Sequence, residues 1–238
     1  MRLLALDSSG LVASVALVVD DTLIAEYTTN FKKTHSQTLL PMLDEIVKMT
    51  DTNLEDLDAI AIAAGPGSFT GLRIGSATAK GLGLALNKPI IGVPTVDALA
   101  YNLFGTEAMI CPIMDARRGQ VYTGLYEFVE NKFNVIEEQK VVTITELLEE
   151  IQPMNRNVIF LGDGVEVHKE QIKETLKEKV SFAPAHVAKQ RAGAVAMLAS
   201  EYYKQGKVES ARDHAPEYLR LSQAERELAE KQKLEQVK

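Results

Sequence analysis

The sequence predicts an α/β protein made of two successive units, each with its own sheet and helices. Short apolar stretches bounded by turn residues alternate with longer stretches whose apolar residues recur at helical spacing. The second half repeats the order of strand, Asp-containing turn and strand that opens the first. The chain has 238 residues, of which 46% are hydrophobic, and this is enough for a sizeable core in one large domain or two smaller ones.

The first unit, residues 1–105, opens with three predicted strands: RLLALDSS, LVASVALVVDD and TLIAEYTTNF. The breaks at 8–10 and 20–21 are short and polar, which suits tight antiparallel turns. The stretch 35–51 then carries apolar residues at helical spacing. The strand LDAIAIAAG, a helix over 72–86, the strand KPIIGV and the helix TVDALAYNLF complete the order β-β-β-α-β-α-β-α.

The second unit, residues 106–221, begins with the strand MICPIM, a turn that contains Asp115 and Gly119, and the strand VYTGLYEF. A further strand, the helix TITELLEEI, the strand NVIFLGDG and an amphipathic helix that ends at Lys179 follow. The stretch AHVAKQRAGAVAMLASEYYKQGK is strongly periodic and predicts one long helix. Residues 222–238 are almost wholly polar and charged, and we expect them to form a separate tail.

The charge balance argues against strong nucleic-acid binding by this chain alone. The formal net charge is −7, from 26 basic and 33 acidic residues. Phosphate contacts need clustered lysine and arginine, and the notable clusters here are only two pairs, Lys32-Lys33 and Arg117-Arg118. Such pairs usually lie on solvated faces.

The sequence lacks the patterns that indicate metal or hydrolytic chemistry. The four histidines have no metal-ligand spacing, and neither H-E-x-x-H nor G-x-S-x-G occurs, so we expect no metal site and no protease activity. Cys111 is the only cysteine, and its apolar surroundings indicate a small buried side chain.

We expect a cytoplasmic protein with no membrane partner. The opening segment, MRLLALDSS, meets Asp7 too early for a signal peptide and is interpreted as a strand. No window approaches the roughly 18 apolar residues of a membrane span.

The run AGPGSFTGLRIG, residues 64–75, is the most distinctive in the chain. It fails the phosphate-loop pattern, since Gly65 and Gly71 are six apart and Leu72-Arg73 stands where Lys-Ser or Lys-Thr is needed. The dinucleotide pattern G-x-G-x-x-G fails as well. We expect a tight turn and then a helix capped by Ser68 or Thr70.

This helix carries a row of small residues at every fourth position: Gly71, Gly75, Ala79 and Gly83. A mid-helix glycine costs about 0.5–1 kcal/mol relative to alanine, so the row needs a compensating reason. Small side chains let another backbone approach closely. That backbone could belong to this chain or to a second one.

Three turns resemble the two phosphate hairpins and the adenosine loop of the actin, sugar-kinase and heat-shock-ATPase superfamily, whose lobes are RNase H-like. They are LDSSG with Asp7, Ser8 and Ser9, then MDARRG with Asp115, then LGDG with Gly162, Asp163 and Gly164. The resemblance implies two lobes, each a mixed five-stranded sheet flanked by helices, with these residues at an interlobe cleft. The late glycine motif is sparser than in ATPases of the superfamily, so we expect a vestigial cleft, at most weak adenine-nucleotide binding and no required cofactor.

Over nearly its whole length the chain resembles the TsaB (YeaZ) family. The segments that carry the resemblance are LALDSS, HSQTLLPMLDEIV, IAIAAGPGSFTGLRIGSATAKGLG, PIIGVPTVDALA, MDARRGQVYTGLY and PEYLR. The family is the non-catalytic paralogue of TsaD in the synthesis of threonylcarbamoyladenosine beside the tRNA anticodon. In TsaD-like sequences the stretch matching VPTVDALA holds two metal-binding histidines four apart, and here those positions are Thr95 and Leu99. The resemblance therefore implies no catalytic residues of its own.

The resemblance also implies the partners. The helices near 36–50 and 71–86 would pair with a TsaD-like paralogue in a heterodimer, or with a second copy in a homodimer when the chain is alone. A TsaE-like ATPase would join through the complex, and tRNA would be contacted mainly by the partner. The expected partner-binding residues are Leu39, Leu40, Leu43, Val47, Gly71, Ile74, Gly75, Ala79 and Gly83.

The alternative is an independent ATPase or small-molecule kinase of the actin-like superfamily. It rests on Asp7, on Asp115 and on the loop at 162–164.

Overall fold

The computed structural model of the protein describes residues 1–220, so the predicted charged tail lies outside the described residues. The first lobe has the predicted order of elements. Its strands and helices are β1 (Arg2–Asp7), β2 (Ala13–Val19), β3 (Thr22–Thr29), α1 (His35–Met49), β4 (Ala59–Gly65), α2 (Phe69–Leu86), β5 (Ile90–Pro94) and α3 (Thr95–Tyr101).

The second lobe repeats this plan with shorter helices. Its elements are β6 (Met109–Asp115), β7 (Gln120–Val129), β8 (Lys132–Thr143), α4 (Ile144–Ile151), β9 (Val158–Leu161), α5 (Gly164–Leu176), β10 (Val180–Phe182) and then α6 (Ala192–Lys204). The three-residue strand β10 was not predicted, because its length gives no alternation to detect.

The two sheets have the same topology. The first has the strand order β3-β2-β1-β4-β5 and the second, written in the same sense, β8-β7-β6-β9-β10. In both, the first three strands are antiparallel, and the last two are parallel to the strand that opens the lobe. The prediction of two mixed five-stranded sheets flanked by helices is confirmed.

Helices cover both faces of the first sheet, which is why its central strands are apolar throughout. Along β1, Leu4 and Leu6 pack beneath α1, whose Leu39 and Leu43 are buried. Leu3 and its alternate neighbours on β1 face the other way, toward α6. The period-two alternation of a strand thus divides one apolar run between two cores.

The structure corrects the predicted end of the second lobe. Helix α6 is only Ala192–Lys204, and it packs against the first sheet rather than the second. The preceding residues are not helical because tertiary hydrogen bonds hold them: Gly162 N–H donates to the carbonyl of Ala188, and the Asn102 side chain donates to the carbonyl of Lys189. The chain therefore crosses back into the first lobe before α6 begins.

After α6, the segment 208–220 ties the two lobes together. Ile90 and Glu209 exchange two backbone hydrogen bonds of 2.9 Å. Glu217 N–H then donates to the carbonyl of Ala64 at 2.7 Å, and Arg220 donates to the carbonyl of Ala116 in the second lobe. This path gives the PEYLR segment a structural role.

A buried carboxyl group lies where α3, β7 and α6 meet. The hydroxyl of Tyr126 donates to Asp97 Oδ1 at 2.7 Å, and Tyr202 also bonds this carboxyl group. Burial raises the pKa of Asp97 to about 6, although both hydroxyl bonds act in the opposite direction. The folded protein therefore favours the neutral acid at this position.

Replacing Asp97 by asparagine should flatten part of the pH dependence of stability. The pKa of Asp97 is higher in the folded protein than its ordinary value of 3.8, so binding of a proton to Asp97 stabilises the folded wild type. This contribution to the free energy of unfolding is fully present below pH 3.8 and is lost as the pH rises through about 6. Asp97→Asn keeps an acceptor for Tyr126 and buries no charge. Relative to wild type, its free energy of unfolding should rise between pH 4.5 and 8, by about 2 kcal/mol. Urea titrations across this range measure it.

The exposed Asp44→Asn variant is the control and should show a much smaller change over the same range. If Asp97→Asn were destabilised relative to wild type most strongly at pH 8, the raised pKa of Asp97 would be contradicted.

Candidate functional site

A cleft of about 1120 Å³ separates the lobes. It is walled by the β1–β2 turn, the loop before α1, the glycine-rich turn, the β6–β7 turn and the segment 217–220. Of the predicted cleft residues, Ser9, Asp115 and Asp163 line it. The other four predicted residues, Asp7, Ser8, Gly162 and Gly164, are not among the residues that line it.

Asp7 and Ser8 lie behind this wall, and their polar atoms bond within the protein. Asp7 Oδ1 accepts from the backbone N–H of Ser9 at 2.9 Å and from its hydroxyl at 2.6 Å. Burial is the main cause that raises the pKa of Asp7 to about 6. The Ser8 hydroxyl donates to the carbonyl of Gly71 at 2.9 Å. The prediction that these two residues face the cleft is therefore wrong: both are buried in the turn.

The second hairpin and the glycine-flanked loop do meet. Asp163 Oδ1 accepts from the backbone N–H of Asp115 at 3.1 Å, and burial raises the pKa of Asp163. Asp115 in turn accepts from Arg117 N–H at 2.8 Å. Gly162 and Gly164 lie against the carbonyl of Ile113, where an added Cβ would come within 2.1 and 3.0 Å. Across residues 1–220, no group of three acidic, histidine or cysteine side chains is placed to hold a metal ion.

The glycine-rich turn packs on the β1–β2 turn, backbone against backbone. Ser68 caps α2 by accepting from Gly71 N–H at 3.3 Å, as one of the two predicted caps. Ser68 N–H donates to the carbonyl of Ser9 at 2.6 Å. A Cβ at Gly71 would lie 2.1 Å from the carbonyl oxygen of Ser8, and one at Gly75 would lie 2.3 Å from its hydroxyl. Two members of the small-residue row, Gly71 and Gly75, make this internal contact, whereas Gly83 lies against Ala211 and Lys88.

This corrects much of the predicted partner surface. The following residues are buried within the chain and face its own sheet and turns: Leu39, Leu43, Gly71, Gly75, Ala79 and Gly83. Of the two explanations open for the small row, internal packing is correct. Leu40 is 53% exposed, and Val47 and Ile74 are half-buried, so these three remain accessible.

The opposite face of α2 is apolar and exposed, and the sequence analysis missed it. We call the outer face the stripe formed by Ile74, Ala77, Gly81, Leu84 and Ala85, with Leu40 of α1. Leu84 is 59% exposed, and nothing lies within 4 Å of the position of a Cβ on Gly81. The steps of three and four residues from Ile74 to Leu84 are those of a helix-pairing seam, and they were visible in the sequence.

The two positions that hold metal-binding histidines in TsaD-like sequences have structural side chains here. Thr95 Oγ1 accepts from the backbone N–H of Gly65 at 3.2 Å and is fully buried. Leu99 is buried in the apolar cluster between the lobes, together with Val96 and Leu161. Neither offers a ligand to the cleft.

Matched alanine substitutions on α2 distinguish its two faces. Gly71→Ala would push a methyl group into the carbonyl oxygen of Ser8, and the free energy of unfolding should fall by about 1–3 kcal/mol. Gly81→Ala, the control, enters open space in the same helix and should raise stability by about 0.5–1 kcal/mol. Urea unfolding measures both. Equal effects of the two substitutions would contradict the packing described.

Helices that could span a membrane are not found in the part of the chain that the structure describes.

Three comparisons place the chain among known proteins. The family model for TsaD, tRNA N6-adenosine threonylcarbamoyltransferase, matches residues 22–228. The tRNA threonylcarbamoyladenosine biosynthesis protein TsaB of Bacillus subtilis is 38% identical, over 98% of this chain and 100% of its own length. The protein of the same name from Escherichia coli is 33% identical, with the same two coverages.

Solved structures agree with these matches. YeaZ from Pseudomonas aeruginosa is 26% identical and superposes with a TM-score of 0.74, covering 92% of this chain and 99% of its own. A second structure, described as an uncharacterized protein with similarity to peptidase YeaZ from the same organism, has a TM-score of 0.77 with the same identity and coverage. The chain therefore belongs to the TsaB (YeaZ) family, within the wider group that the TsaD family model describes.

Proposed function

We propose that this chain is a scaffold subunit in tRNA threonylcarbamoyladenosine biosynthesis, which binds a TsaD-like threonylcarbamoyltransferase and enables it without turnover of its own. The observation that carries the proposal is the occupation of the two metal-ligand positions by Thr95 and Leu99. Both side chains are buried, and both serve the internal packing of the lobes.

The hydrogen bonds that the cleft carboxylates make within the protein support the proposal that this subunit has no catalytic residues. A phosphoryl-transfer site needs carboxylates free to hold a divalent cation beside the phosphates. Here Asp7 is bonded to Ser9, and Asp163 is bonded to the backbone of Asp115. One oxygen of each of these carboxylates is therefore already engaged by the protein itself.

The outer face supports the pairing role. An exposed apolar stripe with a glycine at its centre lets a second helix approach closely, and a related fold would present a similar pair of helices. The same face would then serve a TsaD-like partner or, in its absence, a second copy of this chain. A TsaE-like ATPase would join through that complex, and the partner would supply most contacts to tRNA in the cytoplasm.

The alternative, an independent ATPase or small-molecule kinase, is favoured only by the size of the cleft, which is ample for a nucleotide. Calorimetry with ATP and Mg²⁺ on the isolated chain separates the two functions. We expect weak or no binding, no hydrolysis and no cofactor requirement. Micromolar binding with steady hydrolysis would favour the alternative.

Charging the outer face should abolish the complex. In Ala77→Glu/Leu84→Glu, two carboxylates stand where the partner helix must bury apolar surface, and desolvating them opposes association. We expect the variant to fold normally and to elute apart from the TsaD-like protein in size-exclusion chromatography with light scattering. The yield of modified tRNA should fall to that of the TsaD-like protein alone.

The control is Val167→Glu, which charges an equally exposed apolar position on α5 of the other lobe. It should leave the complex intact. Normal association of the double variant, or modification of tRNA without this chain, would refute the proposal.

A further inference from the structure

The two basic pairs of the sequence come together in the fold. Lys32 and Lys33 lie in the loop before α1, and Arg117 lies in the β6–β7 turn on the other lobe, yet all three line the same cleft. Arg118 follows at the exposed tip of that turn. We call Phe31, Lys32, Lys33, Arg117 and Arg118 the basic rim.

The positive charge of the rim is largely unneutralised. Within residues 1–220, Lys32, Lys33 and Arg118 take part in no ion pair and no side-chain hydrogen bond, while Arg117 pairs with Asp115 at 3.3 Å. The other acidic residues of the cleft are Asp163 and Glu217. Asp163 accepts the backbone bond described above, and Glu217 accepts from Gln139 at 3.1 Å. With Arg220, the cleft is lined by four basic side chains against three acidic ones, and the exposed Arg118 adds a further positive charge at its edge. The cleft is therefore locally basic on a protein whose net charge is −7.

The β6–β7 turn presents its arginines at a conformational cost. Arg117 and Arg118 both have positive φ, +68° and +57°, a region that glycine or asparagine occupies more easily. Arg117 contacts Asp115, but no contact within residues 1–220 explains why an arginine stands at position 118.

Phe31 adds an aromatic surface to the same cleft. Its side chain is 70% exposed, it lines the cleft, and it directly precedes the two lysines. In proteins that bind single-stranded nucleic acids, an exposed aromatic ring stacks on an unpaired base while nearby cationic side chains hold the phosphate backbone. Phe31 beside the two lysines has this arrangement.

We propose that the basic rim binds a single-stranded or looped segment of RNA, with the lysines and arginines on successive phosphates and Phe31 stacked on one base. The choice of RNA rests on the proposed function, in which the substrate of the complex is a tRNA. The basic side chains lie on both sides of the cleft, which suits an RNA strand that crosses the cleft. A mononucleotide would instead need the inner carboxylates, which are bonded within the protein. The contact is local, and the partner subunit supplies the rest.

The test is the affinity of the complex with the TsaD-like protein for fluorescently labelled tRNA, measured by anisotropy at several salt concentrations. Lys32→Ala/Lys33→Ala and Arg117→Ala/Arg118→Ala should each weaken binding by about tenfold at low salt. Each pair should also lower the slope of log K against log salt by about 1.4, the value for two phosphate contacts on a single strand. Phe31→Leu should weaken binding about fivefold without changing that slope, because stacking releases no counterions.

The control, Lys132→Ala/Lys177→Ala, removes the same charge from exposed positions that do not line the cleft, and it should change nothing. Equal losses in the control and the rim variants would overturn the proposal, as would rim variants with wild-type affinity. Displacement of the tRNA by inorganic phosphate or ATP at micromolar concentration would also overturn it, since the site would then be one for mononucleotides.

Failure of this inference is distinguishable from failure of the proposed function. Light scattering on the rim variants should show normal association with the TsaD-like protein, because no rim residue belongs to helix α2, although Ile74 of the outer face also lines the cleft. Loss of that association would make the rim a protein interface and refute the RNA site.

Discussion

The turn after β1 and the glycine-rich turn after β4 pack together with almost no side chains between them. Ser68 N–H bonds the carbonyl of Ser9 at 2.6 Å, and the Ser8 hydroxyl bonds the carbonyl of Gly71 at 2.9 Å. Backbones can come this close only where Cβ atoms are absent, so the glycines at positions 71 and 75 follow from this contact. The same contact places the N-terminus of α2 at the cleft and turns the helix so that Ile74, Ala77 and Leu84 face outward.

The second consequence concerns chemistry. In the β1–β2 hairpin the side chains of Asp7 and Ser9 bond one another, so Asp7 Oδ1 is already engaged within the protein. Segment 208–220 adds further internal bonds, to β5, the glycine-rich turn and the second lobe in succession. A subunit whose two lobes are joined in this way is suited to present surfaces to other molecules. The outer face and the basic rim adjoin at Ile74, which lines the cleft.

Most of the fold was predictable, because its evidence is local. The helix over 35–51, the strand LDAIAIAAG and the order of elements in the first lobe follow from periodicity and turn chemistry, and the structure confirms them. The predicted long helix that begins near Ala185 was wrong, since its first turns bond Gly162 and Asn102 instead. The site was predicted less well. Periodicity shows that one face of α2 carries small side chains, but it does not show whether that face packs inside the protein or faces solvent.

The sequence by itself determined the fold class and the family resemblance, because both depend on residue types at fixed spacing. Only the tertiary structure decided which surfaces are free. Gly71 and Gly81 are the same residue in the same helix, yet one meets a carbonyl oxygen and the other meets nothing. Likewise Lys32 and Arg117 are 85 positions apart and share one cleft. Burial and proximity depend on how distant segments pack, and no local pattern encodes them.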